Sequence, residues 1–148
     1  MFMDIQIVHI SIDNAELLNN IDPDAFDAPI DQGRITTYLA NPCNIMFVAM
    51  NDDLVIGQAR AMVHHHPDIA TELYFDNLGV AEKYLRRGIG TRLVNAVIKA
   101  GMARGCEEIW LGTEPDNIAA CGLYRAMKLT MEPMVMFHGL LDGGQQKP

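Results

Sequence analysis

The sequence is poor in basic residues and has no long apolar run. It contains 11 lysines and arginines against 19 acidic residues, which gives a net charge of −8. This balance argues against a general nucleic-acid-binding protein, because such proteins present a basic face. No stretch approaches the ~20 apolar residues that cross a membrane, so we expect no membrane partner. Residues 1–13 lack the pattern of a signal peptide, and we expect a cytoplasmic protein.

Cysteine is also scarce, with Cys43, Cys106 and Cys121 as the three thiols. Their number is odd and no pair has C-x-x-C spacing, so the sequence predicts neither a disulfide framework nor a zinc knuckle. Reduced thiols are therefore expected. Cys121 has no neighbouring base in the sequence, and a buried Cys121 is favoured over a reactive one.

What is present is a chain of 148 residues, of which 49% are hydrophobic. This length predicts one domain, over residues 1–141, followed by a frayed tail over residues 142–148. Alternation and turn signals predict a strand–helix order along the chain. The predicted strands are 5–10, 45–50, 54–63, 73–80, 108–112 and 134–141, and the predicted helices are 13–18, 31–39, 89–102 and 118–127.

The most informative stretch runs from Glu72 to Arg104. A mostly apolar strand leads into a basic turn that ends in Gly88-Ile89-Gly90, and a helix begins there with a broad apolar face that includes Leu93, Val97 and Met102. The amides of a helix's first turn lack intrahelical partners, and the helix dipole makes that end partly positive. The pattern therefore predicts a main-chain cradle for a phosphate or pyrophosphate.

Two common phosphate-binding motifs are missing from this turn, and their absence excludes some kinds of phosphate ligand. The P-loop pattern is absent, and Leu93 stands where a dinucleotide fingerprint needs a small residue. A helix that merely begins with glycines is the simplest alternative. Gly79 interrupts the bulky strand just before the turn, which indicates a bulge or a close backbone approach. A splayed strand beside an anion-binding turn suits coenzyme A.

The run LGVAEKYLRRGIGTRLV resembles the acetyl-CoA-binding motif of the GNAT superfamily of N-acetyltransferases. Leu85 stands at the Gln/Arg position of that motif, and the arginines follow at Arg86 and Arg87. The run DNIAACGLYRAMKL is similar to the family segment that carries an Asn and a Tyr, here Asn117 and Tyr124. Within the family, ELYFDNLGV and MVMFHGLL look most like the aminoglycoside 3-N-acetyltransferase branch.

The resemblance implies a mixed α/β fold, with a mostly antiparallel central sheet, helices on both faces and a splayed central strand. It implies acetyl-CoA as co-substrate, a small-molecule amine as acceptor and a possible homodimer. The residues expected to bind acetyl-CoA are Leu78, Gly79, Val80, Arg86, Arg87, Gly88, Ile89, Gly90, Thr91, Asn117 and Tyr124.

Acetyl transfer to an amine needs a base for the ammonium proton and an acid for the leaving thiolate. Asp76 and Glu72 are the candidate bases; they lie four residues apart on one predicted strand, ~13 Å from each other, so only one can serve. Asp76 is preferred, although the aminoglycoside branch places its acid at Asn77 and Asp76 could equally anchor a loop. Tyr124 is the candidate acid, against the alternative of a tyrosine whose tip reaches water.

The triplet His64-His65-His66 invites a metal assignment, but neighbouring strand residues point to opposite faces. A solvated turn is favoured and no metal is expected. The alternatives to a small, cationic acceptor such as an aminoglycoside or polyamine are a protein N-terminus, a lysine, or a catalytically silent acyl-CoA-binding module. Six acids between residues 13 and 31 could form an acidic wall of the acceptor site or a solvated loop: Asp13, Glu16, Asp22, Asp24, Asp27 and Asp31.

Overall fold

The computed structural model describes residues 3–142. Its contacts divide the chain into two compact units, Met1–Gly112 and Thr113–Pro148. The single domain expected over residues 1–141 stays a prediction. Residues 143–148 of the predicted tail lie outside the described part of the chain.

The first unit contains a five-stranded sheet in the order β1-β2-β3-β4-β5. Neighbouring strands are antiparallel, except that β4 and β5 are parallel. This is the mixed, mostly antiparallel sheet that the sequence predicted. The strands are β1 Ile5–His9, β2 Asn44–Asn51, β3 Leu54–His64, β4 Glu72–Val80 and β5 Glu108–Trp110.

One face of the sheet is covered by helix α2, Ile89–Ala103. Leu93, Val94 and Val97 have no exposed surface, and a Cβ at Gly101 would lie 2.8 Å from a Leu73 methyl carbon. The predicted apolar face was wrong at Met102, which is 68% exposed. Glycine at position 101 brings the last turn of the helix close to the sheet, and Met102 lies on the turn's outer side.

The opposite face is covered by short helical segments and by helix α1, Gln32–Ala40. Ile10, Leu18 and Val48 form the buried core of this layer. The segment Ile12–Asn19 is a 3₁₀ helix rather than the α-helix expected from Asp13 to Leu18, and its N-cap is Ser11. Asn14 has a non-helical backbone there, and its side chain accepts a hydrogen bond from the Ser11 amide at 2.8 Å. Two further 3₁₀ turns span Pro23–Ala25 and Glu82–Tyr84.

The second unit contains helix α3, Ile118–Ala126. The sequence left Asp116 and Asn117 open as the N-cap; the cap is Asn117, whose side-chain oxygen accepts a hydrogen bond from the Ala120 amide at 3.1 Å. The strand predicted over residues 134–141 is absent, and those side chains are exposed. Apolar composition favours a strand, but a strand also needs a hydrogen-bonded neighbour, and 134–141 pairs with none of the described strands. None of the described helices has the length and apolar character that crossing a bilayer requires.

Candidate active site

The basic turn before α2 leaves a row of main-chain amides without protein partners in the described part of the chain. Gly88 is the N-cap of the helix and has a left-handed backbone, with φ at +75°. In the described residues, the amides of Gly88, Ile89, Gly90 and Thr91 donate no hydrogen bond to the protein. Four donors that converge at the positive end of a helix suit a phosphate group.

A buried tyrosine anchors this turn. The Tyr84 hydroxyl accepts a hydrogen bond from Asn51 Nδ2 at 3.3 Å, and the cationic groups of Lys83 and Arg87 lie 5.5 and 5.9 Å from its ring centroid. Leu85 is 51% exposed. An apolar side chain there cannot donate to a phosphate, so binding at this turn depends on main-chain amides and the neighbouring cations.

The edge of β4 beside the turn is open. β4 pairs with β5 only from Glu72 to Tyr74, so within the described residues Leu78, Gly79 and Val80 have no strand partner on that side. The sequence expectation of a splayed strand is therefore confirmed. An extended, amide-bearing ligand can hydrogen-bond to such an edge.

At Gly79 the backbone of another segment comes close to β4. The sequence had left open a bulge or such a close approach at this glycine. A Cβ at this position would collide with the carbonyl oxygen of Ala25. The bulge lies elsewhere: Arg60 pairs with Asn77 and Ala61 with Phe75, which leaves Asp76 as the extra residue.

The bulge separates the environments of the two candidate bases. Glu72 lies directly opposite His64 across the β3–β4 pair and 3.4 Å from His66. Asp76 is exposed, and its negative charge is one of the influences on Tyr38. Burial first, and Asp76 to a smaller extent, raise the pKa of Tyr38 to about 12, while Arg60 acts in the opposite direction. The charge of Asp76 thus acts on Tyr38 of α1, whereas Glu72 has a histidine as its neighbour.

A cavity of about 380 Å³ opens between α1, the loop before it and the sheet. Asp27 and Asp31 contribute carboxylates to its wall, and Arg34 and Arg60 contribute guanidinium groups. The other lining residues are Phe26, Ala28, Pro29, Ile30, Ile35, Tyr38 and Met46. Of the six acids expected to form a wall, Asp27 and Asp31 line this cavity and the other four do not.

Asp27 is held in the cavity wall by a network that the sequence did not reveal. Gln58 is fully buried, and its Nε2 donates to Asn77 Oδ1 at 2.6 Å and to the Ala25 carbonyl at 3.1 Å. Asn77 Nδ2 in turn donates to Asp27 Oδ2 at 3.3 Å. A glutamine in an apolar strand is the signal that could have indicated it, because buried polar groups need partners.

Tyr124 and Asn117 lie in the second unit. Burial first, and the neighbouring Cys121 second, raise the pKa of the Tyr124 hydroxyl above its ordinary value of 10.0. A phenol with such a pKa keeps its proton at neutral pH, as a general acid must. The Asn117 oxygen is occupied by the α3 cap. The roles of both residues stay predictions.

The histidine triplet is arranged differently from the expectation. His64 and His66, two residues apart, come together with Glu72, and one ligand atom from each lies within 4.8 Å of the other two. His65 is separate from this group, and its Nδ1 lies 3.5 Å from Thr71 Oγ1. The group thus consists of two histidines separated by one residue, together with a glutamate from the neighbouring strand, and not of three adjacent histidines.

Comparisons with known proteins identify the family of this chain. The family model described as the acetyltransferase (GNAT) family matches residues 13–128. Aminoglycoside N(6')-acetyltransferase type 1 of Salmonella typhimurium is 27% identical over 96 residues, which are 62% of this chain and 66% of that protein. N-alpha-acetyltransferase 30 of Xenopus laevis is 33% identical over 106 residues, 72% of this chain and 38% of that protein. The chain thus spans less than two thirds of the length of these relatives.

Solved structures also share the fold. An aminoglycoside acetyltransferase from an uncultured soil metagenomic sample, in complex with sisomicin, has a TM-score of 0.79 at 20% identity and covers 93% of this chain and 97% of its own. AAC(6')-Iy in complex with CoA has a TM-score of 0.79 at 20% identity, with 95% and 97% covered. The aminoglycoside relative with a stated position is a 6' enzyme. The resemblance to the 3-N branch is therefore not supported, while that to the superfamily is.

Proposed function

Because the chain belongs to the acetyltransferase (GNAT) family, we propose that it transfers the acetyl group of acetyl-CoA to a primary amine of a small, cationic molecule. Acetyl-CoA is the co-substrate, and its diphosphate binds at the four unpaired amides from Gly88 to Thr91. The pantetheine arm lies along the open edge of β4 at Leu78 to Val80. The observation that carries this assignment is that the free strand edge and the free amides are joined by one short turn, residues 81–87.

The acceptor occupies the cavity beside α1. Asp27 and Asp31 attract its ammonium groups, and the network from Gln58 through Asn77 holds Asp27 in place. The cavity walls also supply apolar contacts, as small-molecule sites do. Asp76, the exposed extra residue of the bulge, removes a proton from the ammonium group through water; its charge acts on Tyr38, which lines the same cavity.

The chemical step follows from these assignments. The neutral amine nitrogen attacks the thioester carbonyl carbon and forms a tetrahedral intermediate, from which the C–S bond breaks. Tyr124 gives its proton to the departing thiolate, which leaves as free coenzyme A, and the proton that the nitrogen loses as the amide forms restores the Tyr124 hydroxyl. Holding the two substrates together supplies much of the rate enhancement.

A protein N-terminus is the second candidate acceptor. The two carboxylates of the cavity wall are matched by two guanidinium groups, so the cavity is not uniformly acidic. The 33% identity to an N-alpha-acetyltransferase favours this candidate as well.

Thiol release from acetyl-CoA, measured with a panel of amines, tests the proposal. The panel contains a polyamine, an aminoglycoside, a neutral monoamine and a peptide with a free N-terminus. We expect the polyamine or aminoglycoside to give the highest kcat/KM. A preference for the peptide would establish the second candidate, and saturable acetyl-CoA binding without thiol release from any amine would indicate a silent module.

A further inference from the structure

Two histidines and a glutamate meet where β3 ends and β4 begins. His64 and Glu72 are direct partners across the antiparallel pair, which brings their side chains to the same face of the sheet at short range. His66 follows His64 by two residues, and the centroids of the two imidazole rings lie 4.1 Å apart with the ring planes tilted by 39°. The register of β3 and β4 therefore brings His64 and Glu72 together, and His66 lies beside them.

The separation of the ligand atoms fits a metal ion. His66 Nε2 lies 3.4 Å from Glu72 Oε2. Two ligands that each stand ~2.1 Å from a tetrahedral zinc ion are about 3.4 Å apart. The ligand atoms of all three residues lie within 4.8 Å of one another, so small side-chain rotations bring His64 into the same coordination shell.

An ordinary ion pair accounts less well for the cluster. His66 Nε2 is buried from solvent and makes no hydrogen bond, although Glu72 Oε2 is near it. A buried polar nitrogen without a partner is costly. A metal ion at this position would give the nitrogen a ligand bond and would neutralise the carboxylate.

We propose that His64, His66 and Glu72 form a binding site for a divalent transition metal of the zinc class. Two imidazoles and one carboxylate are ligands that zinc and its neighbours accept, whereas magnesium and calcium prefer oxygen donors. Water completes the shell. The ion ties the segment after β3 to the start of β4, so it stabilises the folded chain by an amount that grows with the logarithm of its affinity.

Isothermal titration calorimetry with ZnCl₂ tests this site, on the untagged full-length chain after treatment with a chelator. We expect one zinc per chain from this site, no heat from MgCl₂, and a rise in Tm with zinc. The double variant His64→Ala/His66→Ala should weaken zinc binding by at least about tenfold, as should Glu72→Gln.

The control variant is His65→Ala, which removes the neighbouring histidine outside the cluster and should bind zinc like the wild type. The double variant keeps all three cysteines, so the difference between it and the wild type excludes thiol binding. Circular dichroism verifies that each variant is folded; Glu72→Gln, which keeps the shape of the side chain, decides the question if the double variant does not fold. Equal zinc affinity in the wild type and Glu72→Gln, or no zinc binding by the wild type, would overturn the proposal.

Discussion

At the scale of single residues, the site depends on close approaches that leave no room for change. Gly79 on β4 faces the backbone of Ala25, and the Gln58 amide nitrogen would lie 3.2 Å from a Cβ placed there. Backbone cannot rotate away as a flexible side chain can. The loop that carries Asp27 is thus positioned by a residue with no side chain.

We expect Gly79→Ala to lower the free energy of unfolding by about 1–3 kcal/mol, because the added methyl group pushes the Ala25 backbone away from the sheet. Chemical denaturation measures this loss. Gly112→Ala is the matched control, since a Cβ at Gly112 meets nothing within 4 Å. If the two variants have the same free energy of unfolding, the segment near Ala25 moves aside at little energetic cost, and the prediction is wrong.

The second residue-scale prediction concerns Tyr124. Tyr124→Phe should fold and bind acetyl-CoA like the wild type, while kcat drops by about 10²–10⁴-fold because the thiolate loses its proton donor. Steady-state kinetics and acetyl-CoA titration separate the two effects. An unchanged kcat would remove Tyr124 from the mechanism.

The direction of the Tyr124 pKa shift adds a pH dependence. Burial and Cys121 raise the pKa above its ordinary value of 10.0, so the hydroxyl keeps its proton at neutral pH and the acid is lost as the pH rises through the raised pKa. The wild-type kcat should therefore show no decline from this group near neutral pH. A decline near neutral pH that disappears in Tyr124→Phe would contradict this assignment.

At the scale of elements, the first turn of α2 and the open edge of β4 are the two parts that we propose bind acetyl-CoA. Buried Tyr84 holds the segment before α2 in place. The helix then begins after Gly88, whose backbone is left-handed, and the amides of its first turn have no partners within the helix. Affinity for acetyl-CoA should then depend on backbone access at the turn more than on any one side chain.

Gly90→Val should weaken acetyl-CoA binding by at least about tenfold, or ~1.4 kcal/mol, since the branched side chain covers the amides. Asn95→Val places the same side chain at an exposed position of the same helix and serves as the control for helix propensity. Titration with acetyl-CoA measures both. Equal affinities in the two variants would show that the turn is not the cradle.

Sequence patterns predicted the elements with strong periodicity or capping signals. The helix after Gly88 and the helix before Met127 follow from local chemistry that a single sequence records. The bulge at Asp76 could not be predicted, because it depends on how β3 and β4 pair. The same holds for the His64–Glu72 contact, which is a consequence of strand register.

Other parts of the site depended on packing between distant segments. Gln58 reads as one polar residue in an apolar strand, and its partners Ala25 and Asn77 are 33 and 19 residues away. Residues 134–141 failed for a different reason. Their apolar pattern strongly favoured a strand, but no described strand pairs with them.

At the scale of the whole molecule, the net charge of −8 favours cationic partners by long-range attraction. Cationic acceptors should therefore associate faster at low ionic strength. Exposed charges are screened beyond ~8 Å at physiological salt. We expect kcat/KM for a polyamine to fall about tenfold between low and physiological salt, and kcat/KM for a neutral monoamine to change little. Salt-independent values for both amines would rule out steering.

The most direct test of the central claim is the rate of thiol release from acetyl-CoA with a polyamine at low ionic strength, in wild type, Asp27→Asn and Asp24→Asn. Asp27 lines the cavity and Asp24 does not. Each variant loses one negative charge, so a difference between them reports the local effect of Asp27 rather than the change in net charge. We predict one acetylated amine per thiol released, and a kcat/KM reduced by about tenfold in Asp27→Asn but little changed in Asp24→Asn. Absence of amine-dependent thiol release in the wild type, or equal kcat/KM in all three proteins, would contradict the account.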